Sequence, residues 1–527
     1  MGEKSFFKGA LVLSVAGLIV KVIGALYKIP LARLIGDEGM GLYQMAYPVY
    51  GILLTLSTAG IPVAISILVA EKQAKDDYFA AHRIFRLSLM IMAAFGSLFT
   101  LLLFISAKWL ATHIFLNPGV FYGLIAVAPA IFLTAVTSAF RGYFQGNQTM
   151  VPTATSQIIE QVIRVTTVLL LAYLLLPRGL EFAAAGATFG AVTGGLAALG
   201  VLLQAYKKHR QKYKAELQPV EKTEPVSILL TRIITLAFPV SVGGLVVPIM
   251  QAIDATIIPT RLLLAGHTSE RVTQLFGQFS GMANPLINIA PIITISISLA
   301  LVPVISEAMA KNNKQEVSYR VNQALWSTFL IGLPSAAGLW VLATPICAML
   351  YDKPEVGPLV AILAPSTLLL GLYQTTRGTL QGMGKTYLPV INLTTGIIIK
   401  GTLNYVLVAI PALSIQGAGI ATVTGFTVSV ALNLFYVKKY TQFKMDWKKN
   451  LVLPLVSTII MVLAVRSIYL LANQPLGNTL GSIIAIATGI ITYGTAILAT
   501  GGVEPQDLRI IPGIGPKLAG ILGKFKV

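Results

Sequence analysis

Charge is scarce in this sequence. Only 11% of its 527 residues are Asp, Glu, Lys or Arg, 55% are hydrophobic, and the mean hydropathy is +0.78. Soluble domains carry about 25% charged residues. Too little polar surface exists here to cover a 56.2 kDa object in water, which excludes a soluble enzyme. Disorder is excluded as well, because disordered chains are poor in apolar residues and rich in charge. Cysteine is nearly absent: Cys347 stands alone, so neither a disulfide framework nor a cysteine-ligated metal site is available. The four histidines, His82, His113, His209 and His267, share no metal-ligand spacing. What remains is an all-α polytopic membrane protein.

Acidic residues are the scarcer sign, 20 against 39 Lys and Arg, for a net charge of +19. Nucleic acid is one reading of that balance. In a membrane protein, basic residues mark cytoplasmic loops and the anionic leaflet surface, and no nucleic acid is expected.

A helical crossing needs about 20 mostly apolar residues. The apolar stretches predict fourteen transmembrane helices, near 9–33, 42–70, 84–106, 119–139, 155–176, 183–205, 231–260, 277–306, 322–344, 357–376, 389–410, 416–437, 451–471 and 479–500. The first stretch has no small-residue cleavage site and contains Lys21 and Lys28, so a span rather than a cleaved signal is expected. With the amino terminus inside, the inner segments hold 28 Lys and Arg, the outer segments 6 and the spans 5. That asymmetry predicts cytoplasmic termini.

The chain repeats itself. Arg141-Gly142-Tyr143-Phe144-Gln145-Gly146 is matched by Arg377-Gly378-Thr379-Leu380-Gln381-Gly382 at an offset of 236. Both copies follow a span and precede a proline of the next, Pro152 and Pro389, and their glycines are expected to turn short inner loops. Gly186-Ala187-Thr188 is echoed in Ile420-Ala421-Thr422, and Pro62-Val63-Ala64-Ile65-Ser66 in Pro303-Val304-Ile305-Ser306. The expected plan is two six-helix lobes, 1–206 and 231–437, related by a parallel pseudo-twofold repeat. A basic linker at 207–230, a basic loop at 438–450, two extra helices at 451–500 and a tail at 501–527 complete it.

Lys21-Val22-Ile23-Gly24, Ala32-Arg33-Leu34-Ile35-Gly36 and the paired RG-x-x-QG motifs resemble the multidrug/oligosaccharidyl-lipid/polysaccharide exporter superfamily. Within it the chain is similar to the branch of MurJ-type lipid II flippases and stage V sporulation protein B relatives. The resemblance implies a monomeric alternating-access carrier in the bacterial cytoplasmic membrane. It would move an undecaprenyl-pyrophosphate-linked peptidoglycan precursor, lipid II, through a cationic cavity between the lobes, with the extra helices forming a lipid-tail groove. Membrane lipids and the cell-wall synthesis machinery are the implied partners. No cofactor is implied beyond coupling to Na⁺, H⁺ or the membrane potential. The chain departs from the Gram-negative pattern, with Lys21 where the family has arginine and Tyr27-Lys28 where it has an Arg-Asp pair.

A charge inside a span costs about 2.5 kcal/mol or more on insertion scales, so it faces a cavity or a partner. Lys21 and Lys28 lie seven apart, on one face of the first span, and suit a diphosphate; Lys28 is equally suited to snorkel to the interface. Arg33, nearer the outer end, reads as an anchor or a cavity cation. Glu160 and Arg164 sit at i, i+4, either as a neutral structural pair or with Arg164 lining the cavity. Asp254 and Lys400 carry two open readings. Asp254 binds a coupling cation, Na⁺ or H⁺, with Asn404 and Thr422, as the resemblance implies; or it pairs with Lys400.

Prolines at 30, 48, 62, 239, 248, 259, 285, 291 and 303 interrupt spans 1, 2, 7 and 8 as static kinks or hinges. The tail Ile511-Pro512-Gly513-Ile514-Gly515-Pro516-Lys517-Leu518-Ala519 resembles half of a helix-hairpin-helix element, and a short cytoplasmic cap or interfacial helix is expected there. Three other functions stand beside lipid II flipping. A related flippase would take another polyprenyl-linked glycan. A cation-coupled multidrug exporter would need more cavity acids than Asp254 and Glu160. An intramembrane enzyme has no paired acids, zinc motif or Ser-His constellation to support it.

Overall fold

A computed structural model describes residues 3–58, 60–212, 224–441, 443 and 445–503. The tail segment Ile511–Ala519 and linker residues 213–223 lie outside the described residues. Among the described residues the regular structure is entirely helical. Contacts divide the chain into two compact units, Met1–Pro285 with Gly401–Ala418, and Leu286–Lys400 with Gly419–Val527.

The first unit contains α1 (Glu3–Leu26), α2 (Lys28–Thr58), α3 (Ile61–Gln73), α4 (Tyr78–Trp109), α5 (Val120–Val127), α6 (Pro129–Gly146), α7 (Met150–Leu175), α8 (Leu180–Lys212), α9 (Val226–Leu264) and α10 (Ser269–Phe276). A π-helical stretch, Gly277–Ala283, and α11 (Asn284–Ile287) follow α10. The second unit is built on α12 (Pro291–Ala310), α13 (Lys314–Val341), α14 (Ala343–Tyr351), α15 (Gly357–Leu363) and α16 (Pro365–Gly382). It also holds most of α17 (Tyr387–Leu407) and α18 (Ile415–Thr441), and all of α19 (Leu453–Ala499).

Where the sequence predicts fourteen separate spans, the described residues form twelve helical runs long and apolar enough to cross a membrane. The difference lies in the first and last runs, Leu11–Gln73 and Lys448–Ala499, of 63 and 52 residues. Each folds back at a glycine in the left-handed region, Gly36 (φ 68°) and Gly477 (φ 77°), where a side chain would be strained. The reversal is visible in contacts. Tyr27 and Tyr43 hydroxyls meet at 2.8 Å, although sixteen residues of straight helix span about 24 Å. Beyond Gly477, a Cβ on Gly489 would lie 2.8 Å from Val465 Cγ2.

The prolines act unevenly. Pro62 and Pro291 open helices after breaks, Pro48 and Pro303 sit inside α2 and α12, and α9 runs unbroken past Pro248 and Pro259.

The repeat is written in the packing. A Cβ on Gly142 would meet Pro62 O at 2.6 Å, and one on Gly378 would meet Ser298 O at 2.6 Å. Gly146 approaches Ser66 O and Gly382 approaches Val302 O, each at 2.8 Å. Gly96 packs on Phe132 and Gly332 on Leu368. All these pairs keep the 236 offset. So do three pairs of residues with positive φ in the turns that follow helices: Asp76 with Asn312, Leu116 with Asp352, and Gln148 with Gly384.

Two sequence readings are corrected by this. The RG-x-x-QG motifs are not loops: they form the last turns of α6 and α16, and their glycines admit the backbone of α3 and α12. The Pro303–Ser306 echo is five residues out of register, because Pro62–Ser66 answers structurally to Ser298–Val302.

At the end rich in basic residues, the chain entering α9 is clamped. Lys72 binds Glu224, Arg232 bridges Glu71 and Glu224, and Arg83 donates to the Glu224 carbonyl at 2.9 Å. The hydrogen bond from Lys72 holds the Glu224 carboxyl below its usual range. The clamp is therefore intact at neutral pH and is lost as pH falls through that lowered value.

Gly142→Ala and Gly378→Ala should each destabilise the chain by roughly 1–3 kcal/mol, read as a lower unfolding midpoint in detergent. Gly338→Ala, with nothing within 4 Å of its Cβ position, should be neutral or slightly stabilising.

Candidate functional site

Four basic side chains of the candidate set, Lys21, Lys28, Arg33 and Arg164, lie in the first unit, and one forms a built cluster. On α7, Glu160 Oε1 accepts from Arg164 at 2.6 Å, the favourable i, i+4 pair. Its other oxygen accepts from Arg141 of α6 at 2.7 Å. One carboxylate thus carries two guanidiniums, and the trio keeps one net positive charge. All three side chains are mostly buried, with 13–22% exposure. Arg141 is further held by Ser156, and the buried Arg164 Nε has no hydrogen-bond partner among the described residues. A spare N–H on a desolvated cation is suited to an anionic oxygen.

A tyrosine ladder borders this charge. The hydroxyls of Tyr27, Tyr43 and Tyr47 follow one another at 2.8 Å steps, and the Tyr47 and Tyr50 rings meet edge to face at 5.9 Å. Arg164 lies within electrostatic reach of Tyr27, Tyr47 and Tyr50. The ladder exists because α2 folds back at Gly36 and carries Tyr43, Tyr47 and Tyr50 at helical spacing on one face.

On α1, the exposed residues Leu11, Val15, Leu18, Val22 and Leu26 trace one apolar stripe. The opposite side packs on α7, with Gly24 against Gln161 and Ala16 buried. Exposed Lys21 and half-buried Lys28 share a third flank, about 100° from the centre of the apolar stripe. Neither makes an ion pair with a described residue. Gly17 on the same flank has open space at its Cβ position. Arg33 is exposed beyond Pro30, toward the Gly36 turn.

In the second unit, Lys400 on α17 stands 236 residues after Arg164. Their surroundings match. Gly194 of α8 brings a Cβ position within 3.0 Å of Arg164 Cβ, and Gly425 of α18 within 2.9 Å of Lys400 Cβ. The same glycines face the carbonyls of Glu160 and Gly396, also 236 apart. The two cations are thus repeat equivalents, but the acid is not repeated: Gly396 stands where Glu160 does. Thr422, on α18, is buried in the second unit.

Asp254, on α9 in the first unit, accepts from Asn404 Nδ2 at 2.9 Å. Asn404 is fully buried, and its Oδ1 has no hydrogen-bond partner among the described residues. A carboxylate beside an unsatisfied amide oxygen is an oxygen-only donor set, which fits Na⁺ or a proton rather than a softer metal.

At the end opposite the basic clamp, α2 meets α10 and the π-helical stretch in a seam. Gly41 lies against Thr273 O and Gly277 against Asp37 O. These are equivalent contacts, since 41 and 37 become 277 and 273 on adding the offset. The contact is therefore isologous, the signature of a local twofold relation. Gln44 donates to Ser280 O, its own equivalent, at 2.7 Å, while Gln278 donates to Asp37 and Asn117 to Thr273, both at 2.8 Å.

Sequence reading found Glu160 with Arg164 and Asp254 with Asn404, but missed Arg141, the tyrosine ladder, the seam and the equivalence of Arg164 with Lys400. The offset of 236 would have found the last. A match of Met45-Ala46-Tyr47-Pro48 to Met282-Ala283-Asn284-Pro285, offset by 237, pointed to the seam.

Residues 6–309 match the family described as polysaccharide biosynthesis protein, and residues 280–406 match the MatE family. Stage V sporulation protein B of Bacillus subtilis (strain 168) is 33% identical over 441 residues, covering 83% of this chain and 85% of that protein. Lipid II flippase MurJ of the same organism is 27% identical over 485 residues, 88% of each. A solved lipid II flippase MurJ in an inward closed conformation superimposes with a TM-score of 0.67 at 17% identity, covering 92% of this chain and 98% of that one.

Glu160→Gln should strand two guanidiniums and destabilise the chain by about 3–5 kcal/mol. Joint Glu160→Gln and Arg141→Met should recover part of that loss. Chemical or thermal unfolding of the two variants in one detergent checks both.

Proposed function

Because the chain belongs to the polysaccharide biosynthesis protein family of the multidrug/oligosaccharidyl-lipid/polysaccharide exporter superfamily, we propose that it is an alternating-access flippase for lipid II. On this reading it carries the undecaprenyl-pyrophosphate-linked precursor from the inner to the outer leaflet of the bacterial cytoplasmic membrane. Both termini face the cytoplasm, in keeping with the basic segments around the clamp. No bond is made or broken. The chain lowers the cost of taking a diphosphate through hydrocarbon, where an uncompensated charge is expensive.

The observation that carries the proposal is the repeat equivalence of Arg164 and Lys400. A duplicated unit keeps a cation at the same helical position in both copies, beside a glycine that clears space at its Cβ. Arg164 supplies its unpartnered Nε to a phosphate oxygen. Lys21 offers an ammonium group from the flank of α1 that avoids its apolar stripe, and Lys28 offers one from the first residue of α2. The tyrosine hydroxyls and rings give Arg164 a polar yet dry border.

Flipping has no chemical energy of its own, so direction comes from membrane potential or an ion gradient. Asp254 with Asn404 Oδ1 is the set that would hold Na⁺ or a proton. Binding there adds positive charge to α9; pairing of Asp254 with Lys400 is the other reading of the same acid.

A related flippase for another polyprenyl-linked glycan would use the same cations, and defined substrates separate the two. A multidrug exporter is disfavoured by the charge balance. Cationic drugs need free carboxylates, and Glu160 already serves two arginines.

Full-length protein in liposomes, given lipid II and a second polyprenyl-linked glycan, decides the reading. Outer-leaflet appearance of lipid II above the protein-free rate supports it, and transport of only the other glycan moves the assignment there. Arg164→Met and Lys400→Met should each slow flipping at least about tenfold, the loss of one charge-assisted contact. Asp254→Asn should abolish any Na⁺ or pH dependence.

A further inference from the structure

At the basic end of the first unit, charge is matched in one place and unmatched in another. Around Glu224, the side chains of Lys72, Arg83 and Arg232 are all engaged. On α4 and α8, exposed Arg86, Lys207 and Arg210 make no ion pair with a described residue. Arg86 and Arg210 both lie within electrostatic reach of His82 and Tyr206. The rings of His82 and Tyr206, one from each helix, stack at 6.0 Å and 11°. Behind them Phe85 meets Tyr143 of α6 at 4.6 Å, and His209 stands edge-on to Tyr143 at 5.7 Å. The two arginines therefore stand over a packed aromatic floor shared by three helices.

The repeat supplies an independent observation. Gly96 with Gly332 equates α4 with α13 at the 236 offset, and Gly194 with Gly425 equates α8 with α18 at an offset of 231. His82, Arg86 and Arg210 then answer to Ser318, Asn322 and Thr441, which line one polar cavity of the second unit. Chain packs on them there. Asn322 Oδ1 accepts from the Asp446 N–H at 3.4 Å and from Asn450 Nδ2 at 3.2 Å, both in the segment joining α18 to α19. Where its own chain covers it, this face carries neutral hydroxyls and an amide. Where it stays exposed, it carries two guanidiniums and an imidazole. The same docking face has thus become a receptor for negative charge in the first unit.

The rows above the two arginines name the source of that charge. Phe189, Leu196 and Leu203 are exposed at seven-residue spacing along α8, and the next step of the row is Arg210. On α4, exposed Leu101 and Met90 lead down to Arg86. Two lipid-facing apolar rows that end side by side in cations match the boundary between acyl chains and headgroups. We propose that Arg86 and Arg210 together bind the phosphate of an anionic membrane phospholipid whose chains lie along the exposed rows of α4 and α8. The guanidiniums donate N–H bonds to the phosphodiester oxygens, and Lys207 flanks them at the rim. The site uses none of the residues assigned to the cargo, so it stands or falls separately from the flippase reading.

The test uses the full chain in neutral detergent, with unfolding midpoints and native mass spectra. The probes are phosphatidylglycerol, phosphatidylcholine and soluble glycerol 1-phosphate. Phosphatidylglycerol should raise the midpoint and be retained in the spectra. Phosphatidylcholine, whose phosphate carries its own cation, should do neither. Joint Arg86→Gln and Arg210→Gln should weaken phosphatidylglycerol roughly thirtyfold, about fivefold for each cation removed. Both side chains are exposed and unpaired among the described residues, and an unchanged midpoint without lipid shows that the double variant folds. Joint Lys438→Gln and Lys439→Gln removes the same charge from exposed positions on α18 and should leave phosphatidylglycerol binding intact. Equal retention of the two lipids, or equal loss in the two double variants, would overturn the site. Glycerol 1-phosphate protecting as well as phosphatidylglycerol would overturn the lipid source.

Discussion

A positive charge inside an apolar helix bundle must be compensated, and the first unit meets that demand with one carboxylate shared by two arginines. Glu160 fixes Arg141 and Arg164 from different helices, so α6 and α7 are bound by charge as well as by packing. The sharing is incomplete by one charge, so the helix pair keeps a net positive charge. It also constrains the neighbours. Residue 194 is glycine because α8 passes over the Glu160 carbonyl and the Arg164 Cβ with no room for a side chain.

The second unit repeats the geometry without repeating the shared acid. Lys400 and Arg377 occupy the places of Arg164 and Arg141, and Gly396 replaces the shared acid. Duplication preserved the helix contacts that glycines control, and the electrostatics then diverged. Two copies of one scaffold in this way hold cations of different kind: a planar guanidinium and a compact ammonium.

Much of the architecture was legible in the sequence. Runs of apolar residues located the helices, and the RG-x-x-QG pair gave the true offset. Hydropathy could not tell that Arg141 lies inside a helix, since an arginine near the end of an apolar run looks the same in a loop. Its partner Glu160 is nineteen residues away on another helix, so no local pattern joins them. The Pro62 and Pro303 similarity misled for a related reason. Prolines recur wherever membrane helices bend, whereas the residues facing Gly142 and Gly378 are fixed by contact and not by type. The reversals at Gly36 and Gly477 fall in the gaps, 34–41 and 472–478, that the apolar runs leave between predicted spans; what the runs did not show is that each turn is made on one left-handed glycine with almost no loop.

The self-matched seam at Gly41 and Gly277 has a mechanical corollary. Main chain lies directly on main chain there, with Met40, Phe276, Phe279 and Met282 buried around it, so the close approach is set by glycine and sealed by apolar side chains. Such a joint closes in one registry, fixed by backbone contact at two glycines and a handful of amide hydrogen bonds. Adding even one methyl group would wedge it ajar.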